Sequence, residues 1–122
     1  MAHFIHLTTH SDQRGNLTVV ERTIPFEIKR LFYIYGVDDS VRGGHRHLTT
    51  EQAAICIHGS CKIFCDDGHQ QEEYHMDSPE KCLILHKEDW HTMYDFTPDA
   101  VLLVLASTEF DPDDYIFEPY SH

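Results

Sequence analysis

Apolar and polar positions alternate in short runs along this chain, and turn formers separate the runs. Nine runs have strand character, at 4–7, 17–22, 28–36, 52–57, 61–65, 73–76, 82–86, 92–96 and 101–107. They are rich in the β-branched and aromatic residues that suit a pleated, half-buried surface. Between them stand Asp12-Gln13-Arg14-Gly15, His58-Gly59-Ser60, Asp66-Asp67-Gly68 and Phe96-Thr97-Pro98-Asp99. The Asp-Gly step is a hairpin signal because glycine accepts a positive φ. No segment carries the i, i+3, i+4, i+7 stripe of an amphipathic helix. Asp111-Pro112-Asp113-Asp114-Tyr115 predicts one helical turn and nothing longer. Short strands at about ten-residue spacing predict an all-β, antiparallel sandwich or barrel. The pattern reads as a small jelly roll, one domain over residues 1–122.

Composition narrows the function classes. Hydrophobic residues make up 41% and charged residues 25%, which is globular rather than disordered. Twenty-one acidic residues against nine basic give a net charge of −12. That balance argues against a nucleic-acid partner or an anionic membrane surface, both of which reward a basic face. No apolar run approaches the roughly 18 residues of a spanning helix, and residues 1–10 lack a secretion pattern. The expectation is a cytoplasmic protein. Cys56, Cys61, Cys65 and Cys82 contain no C-x-x-C pair, so they read as reduced thiols buried on strands.

The charge is uneven. Residues 1–47 carry six basic and five acidic side chains, and residues 48–122 carry three and sixteen. All five arginines, Arg14, Arg22, Arg30, Arg42 and Arg46, fall in the first part. Grouped guanidinium forks in an acidic protein suit a bidentate phosphate or carboxylate site.

Eleven histidines concentrate the candidate chemistry. The sharpest cluster is Arg42-Gly43-Gly44-His45-Arg46-His47, followed by Glu51-Gln52. On a strand, an H-x-H pair puts both imidazoles on one face. Two uses follow. With Glu51 and a later histidine, His86 or His91, the set has the spacing of a metal site for iron, manganese, nickel or zinc. Alternatively, His45 and His47 move protons while Arg14, Arg30 and Arg42 hold an anion and Trp90 offers a flat wall. Whether Glu51 or Gln52 points inward decides much between them, and a one-residue register shift exchanges the two.

Several motifs, in order, resemble one family, the dTDP-4-keto-6-deoxyglucose 3,4-ketoisomerases, which are small cupin-type sugar-nucleotide enzymes. Asp12–Leu17 is similar to D-x-R-G-x-L, Ile24–Arg30 to I-P-F-x-I-K-R, and Arg42–His47 with Gln52 to R-G-x-H-x-H and its glutamine. His58-Gly59-Ser60 is similar to an N-G-S turn and Trp90–Phe96 to W-H-x-M-x-D-F. Val104–Ser107 resembles V-L-A-S and Asp111–Ile116 the closing Y-D-x-x-D-Y-I. The resemblance runs from about Asp12 to Tyr115. Among the departures from it, His58 stands at the asparagine of the N-G-S turn, Leu48 replaces a lysine and Phe32 the first of two tyrosines.

The resemblance implies a cupin-like jelly roll that moves a ketone from C4 to C3 of dTDP-4-keto-6-deoxyglucose through an enediol. It implies no metal and no cofactor. It implies catalytic roles for His45, His47, His91 and Arg14, with Arg30, Arg42, Lys29, Gln52, Tyr33 and Trp90 binding substrate. It also implies a homodimer with exchanged N-terminal strands, a role the apolar Phe4-Ile5 start suits. The pairing of Arg14 with His91 implies the galacto product, dTDP-3-keto-6-deoxygalactose. The alternatives are a metal-dependent cupin using the H-x-H/Glu/His set and a non-catalytic sugar-nucleotide binding module.

Overall fold

A computed structural model describes all residues, Met1 to His122. Twelve strands and one 3₁₀ turn form the chain, in the order β1 (His3–His6), β2 (Thr8–Asp12), β3 (Gly15–Val19), β4 (Arg30–Tyr35), β5 (Arg42–His47), β6 (Gln52–His58), β7 (Cys61–Asp66), β8 (Gln71–Met76), β9 (Lys81–Leu85), β10 (Trp90–Tyr94), β11 (Val101–Ala106), the turn Pro112–Asp114 and β12 (Tyr115–Ile116). One sheet runs β1-β9-β6-β11-β4 and the other β12-β5-β10-β7-β8. All pairs are antiparallel, as expected for the jelly roll. No helix is long and apolar enough to cross a membrane.

The strand patterns explain the layers. In β4, Arg30, Phe32 and Ile34 turn inward while Leu31, Tyr33 and Tyr35 are exposed. β6 is buried from Gln52 to Cys56 because both of its faces are covered. Its inner face joins Ile63, Leu83, Leu85, Met93, Leu102 and Val104 between the sheets. Its outer face, with Ala53 and Ile55, packs with Ile84 and Leu105 under Leu7, Ile24 and Phe26. Full burial of a leucine such as Leu83 stabilises by about 1.5–3 kcal/mol. The four cysteines are buried and unpaired.

The corner from β6 to β7 needs glycine. Gly59 has φ 65°, and a Cβ there would meet the Thr97 side chain and stand 2.8 Å from Ala100 Cα. The turn expected at 111–115 is the 3₁₀ turn, capped by Asp111, whose side chain accepts from the Asp113 N–H.

Three strands escape the hydrophobic pattern. β2 is wholly polar, Thr8-Thr9-His10-Ser11-Asp12, and pairs only with β3. β5 carries glycines and charges, and β12 has two residues. The run at 17–22 is shorter at its far end than its composition suggests, because β3 stops at Val19 and Arg22 turns left-handed at φ 59°. The β2–β3 hairpin is a separate two-stranded sheet. The hydroxyls of Thr9 and Thr18 lie 2.7 Å apart across it.

Candidate active site

The inner face of the second sheet holds the imidazoles. His45 and His47 share a face of β5, two residues apart. His91 on β10 lies directly across from His45. The register slips between His91 and Thr92, opposite Gly43 and Gly44, which have φ 83° and 84°. A Cβ on Gly43 would come within 2.9 Å of the His91 carbonyl oxygen. The glycines thus permit a bulge that re-aims the following histidine. Ring centroids are 5.0 Å apart for His45–His47 and His45–His91, and 6.3 Å for His47–His91. Tyr115 lies 4.7 Å from both His45 and His47.

A cavity of about 160 Å³ opens here, lined by Phe32, Ile34, Arg42, Gly43, His45, Gln52, His91, Met93 and Tyr115. It adjoins an apolar shelf of Phe110, Pro112, Tyr115 and Phe117, also bordered by His45. Arg30 sits behind, its guanidinium 5.6 Å from the Phe32 ring and 5.7 Å from the Phe110 ring.

Hydrogen bonds assign protons within the cluster. His91 Nδ1 lies 3.0 Å from the Asp89 main-chain oxygen. A carbonyl only accepts, so Nδ1 carries the proton and Nε2 keeps a lone pair. His47 Nδ1 lies 2.9 Å from Asp114 Oδ2, with side-chain exposures of 2% and 6%. Neither Nε2 has a partner. Buried acceptors without partners are rare in a folded protein and call for an explanation in ligand or chemistry.

The electrostatics favour neutral imidazoles. Burial, reinforced by His47, pushes His45 down to about 4. Burial and His45 push His91 down to about 4. Burial also lowers His47; Asp114 opposes this, while His91 and Arg30 add to it. For Asp114 itself burial works upward. Hydrogen bonds from Thr50, Thr49 and His47 outweigh it and hold the carboxyl well below the usual carboxylate range.

Gln52, not Glu51, faces the cavity. Gln52 is buried with Oε1 unpartnered. Glu51 Oε2 accepts from the Lys87 N–H at 3.0 Å and stands 3.5 Å from His86 Nδ1, outside the cavity. The H-x-H/Glu/His metal set is therefore not assembled, because the pleat sends positions 51 and 52 to opposite sides.

Of the ten residues expected at the site, His45, His91, Arg42 and Gln52 line the cavity, and His47 and Arg30 stand directly behind it. Four do not. Tyr33 is 59% exposed on the outer face of β4, stacked on Tyr35, because alternation gives the inward place to Phe32. Trp90 alternates away from His91, and its Nε1 donates to the Phe117 carbonyl at 3.1 Å. Lys29 is exposed and joins the sheet through its backbone N–H to Ala106. Arg14 lies on the β2–β3 hairpin in a separate hollow, paired with Asp12 at 2.6 Å. Asp114, Tyr115, Phe110 and Phe117 also stand at the site, although their residue types in the sequence do not point there. Asp111-Pro112, a cap followed by proline at the first helical position, was the available signal that residues 113–115 hold a fixed place.

The family model described as "FdtA: WxcM-like, C-terminal" matches residues 1–122. A TDP-4-oxo-6-deoxy-alpha-D-glucose-3,4-oxoisomerase of Aneurinibacillus thermoaerophilus is 43% identical over 108 residues, covering 86% of this chain and 78% of that protein. Among solved structures, WlaRA, a TDP-fucose-3,4-ketoisomerase from Campylobacter jejuni, matches with TM-score 0.89 at 38% identity, over 96% of this chain and 89% of that one. WlaRB, a TDP-quinovose 3,4-ketoisomerase from the same organism, matches with TM-score 0.92 at 38% identity, over 96% and 92%.

Proposed function

This chain belongs to the FdtA, WxcM-like C-terminal family, and from that premise we infer that it is a TDP-sugar 3,4-ketoisomerase acting on TDP-4-keto-6-deoxyglucose. The observation that carries the reading is the set of converging imidazoles, two with an unpartnered Nε2, at a cavity bordered by Arg42 and Gln52.

The chemistry follows from those groups. The C4 ketone makes the C3 proton acidic, and a neutral imidazole, His45, removes it. The C4 oxygen takes a proton as the enediol forms. A second donor then protonates C4 as the C3 hydroxyl loses its proton, leaving the ketone at C3. No atom is gained or lost, and the sugar is neither oxidised nor reduced overall. His47 exchanges protons with His45 at the 5.0 Å ring separation. His91, across the cavity on β10, is the candidate proton carrier to C4: its Nε2, which holds a lone pair at rest, takes the proton that leaves the C3 hydroxyl and delivers it to C4. Arg42 pairs with the diphosphate as a fork, with Arg30 adding positive potential behind it. The Phe110–Phe117 shelf gives the nucleobase an apolar face.

The assembly we propose is a homodimer. A two-stranded hairpin on its own is marginal in water, and β2–β3 has no third strand in its own chain. Exchange of the β2–β3 hairpin would cover it, whereas β1, with the Phe4-Ile5 start expected to exchange, pairs with β9 of its own chain. In its own chain Arg14 lines a separate hollow, so its role at the reacting centre requires that the exchange bring it to the partner's cavity. The product then follows from Arg14 and His91 as the galacto isomer. Likeness alone does not choose, since the fucose-type and quinovose-type relatives are equally identical to this chain, at 38%.

The deciding assay incubates the purified chain with TDP-4-keto-6-deoxyglucose and reads the product by NMR. Migration of the ketone to C3 with an axial C4 hydroxyl is expected. An equatorial hydroxyl would overturn the stereochemical assignment, and no migration would overturn the function. Sedimentation tests the dimer independently.

A further inference from the structure

Asp114 accepts four hydrogen bonds, all from residues 47–50. Building on the isomerase reading, we propose that Asp114 is a positioning residue for the isomerisation. Its carboxylate fixes the tautomer and tilt of His47, so that Nε2 of that ring, and not Nδ1, exchanges protons within the site.

A proton inventory carries the argument. Oδ1 accepts from the Thr49 N–H and the Thr49 hydroxyl, both at 2.8 Å. Oδ2 accepts from the Thr50 hydroxyl and from His47 Nδ1. An ionised carboxylate is an acceptor only, so Nδ1 must be the protonated nitrogen. Thr50 has one proton and gives it to Asp114. Thr108, 2.7 Å from the Thr50 hydroxyl, must therefore donate to Thr50. The direction of every bond in the chain Thr108–Thr50–Asp114–His47 is fixed. The Leu48 N–H donates to the Asp114 carbonyl at 2.9 Å, which ties the same segment to the residue's backbone.

A flipped His47 ring would turn a carbon toward Oδ2 and leave both groups short of a partner in a buried place. His47 Nε2, left with a lone pair and no partner, is the outcome of this arrangement. When Nε2 takes a proton, the ring becomes an imidazolium facing the carboxylate at 2.9 Å. The Nδ1 proton stays where it is, and Asp114 remains ionised. A buried carboxylate holding an imidazole in one tautomer is a recurrent device in acid–base catalysis.

The test is Asp114→Asn in the full chain. The carboxamide still accepts from Thr49 but turns an N–H₂ toward His47, which forces the proton onto Nε2. Nitrogen-15 NMR of the ligand-free protein is expected to show His47 protonated at Nδ1 in the parent and at Nε2 in the variant. Turnover is expected to fall about 10²–10⁴-fold with little change in KM. The acid limb of kcat/KM is expected to move to lower pH. The groups facing His47 are Asp114, His45, His91, Arg30 and Tyr115, and only the first loses its charge. Thr108→Ala, one link further out, is expected to cost only a few-fold.

A folded Asp114→Asn variant with turnover within threefold of the parent would overturn the proposal. So would a parent spectrum with His47 protonated at Nε2. If the variant does not fold, that parent spectrum decides alone. A merely structural role would lower Tm and leave both the tautomer and the turnover per folded molecule unchanged. Absence of ketone migration in the parent would sink the isomerase reading without touching the tautomer measurement.

Discussion

Residues 51 and 52 are neighbours in the chain, yet each faces a different cluster of histidines. Gln52 turns into the cavity with His45 and His91. Glu51 turns to the edge where β1 meets β9, beside His86. There the His3 and His86 rings stack at 5.2 Å, with Nδ1 and Nε2 3.3 Å apart. The two clusters use the same residue types at similar separations. They differ in solvent and in partners. His86 and Glu51 keep 30% and 32% of their side-chain surface, and each nitrogen of His86 has a polar neighbour. At the cavity His47 and His91 are nearly sealed, and each keeps one nitrogen lone pair without a partner. Burial and an unmet hydrogen bond, rather than histidine count, separate a reactive cluster from a solvated one.

The largest expected effect sets these clusters apart directly. His45→Asn is expected to lower turnover by about 10²–10⁴-fold with the fold intact. His86→Asn is expected to leave turnover within about twofold, because surface substitutions away from structural features change little. Steady-state kinetics on both variants, with circular dichroism to verify folding, makes the comparison. Equal losses would erase it.

Much of the cavity cluster is legible in the sequence because its signals are local. H-x-H on a strand needs only the pleat to share a face, whereas the bulge at Gly43 and Gly44 emerges only from the pairing of β5 with β10. What is not legible depends on long-range register. The pleat sign at 51–52 follows from β6 pairing with β9 and β11, and no local feature fixes it. Tyr33 and Trp90 read as site residues because the residue types suit a sugar, but alternation places Phe32 and His91 inward instead. Asp114 reaches His47 from 67 residues away, so its role emerges only once the 3₁₀ turn docks on the segment after β5. β2 is invisible to hydrophobic patterning because a hairpin free of the core has no apolar face to repeat.

A smaller effect distinguishes the arginine at the cavity from the lysine outside it. Arg42→Ala is expected to raise KM for the sugar nucleotide about 10- to 100-fold, in line with the roughly 1.5–3 kcal/mol of a hydrogen bond to a charged group. Lys29 carries the same charge near the start of β4 but is exposed and lines no cavity, so Lys29→Ala is expected to change KM by less than about threefold. Titration with TDP alone, followed by calorimetry, checks both. A weakened Lys29→Ala with an unchanged Arg42→Ala would move the anion site out of the cavity.

The smallest effect is on stability against pH, and its sign follows from the neutral imidazoles. His45 and His91 have an ordinary value of 6.5 and are pushed to about 4 in the folded chain. Between those limits the unfolded chain binds more protons than the folded one. Stability therefore rises with pH across this window and is lost as pH falls from 6.5 toward 4. Asp114 acts in a lower window. Its carboxyl is depressed from 3.8, so its contribution is complete above that value and drains only as pH falls further. Acidification should thus reduce Tm in two stages, imidazoles first and carboxylate second, at roughly 4 °C per kcal/mol lost. Calorimetric scans from pH 7 to 3 measure the slope. His91→Asn is expected to flatten the upper stage and leave the lower one, because it removes a buried group that must charge on unfolding and leaves the Asp114 contacts in place. An unchanged upper slope would mean that His91 is already hydrated in the folded chain, and the contrast between the cavity and the edge would lose its physical basis.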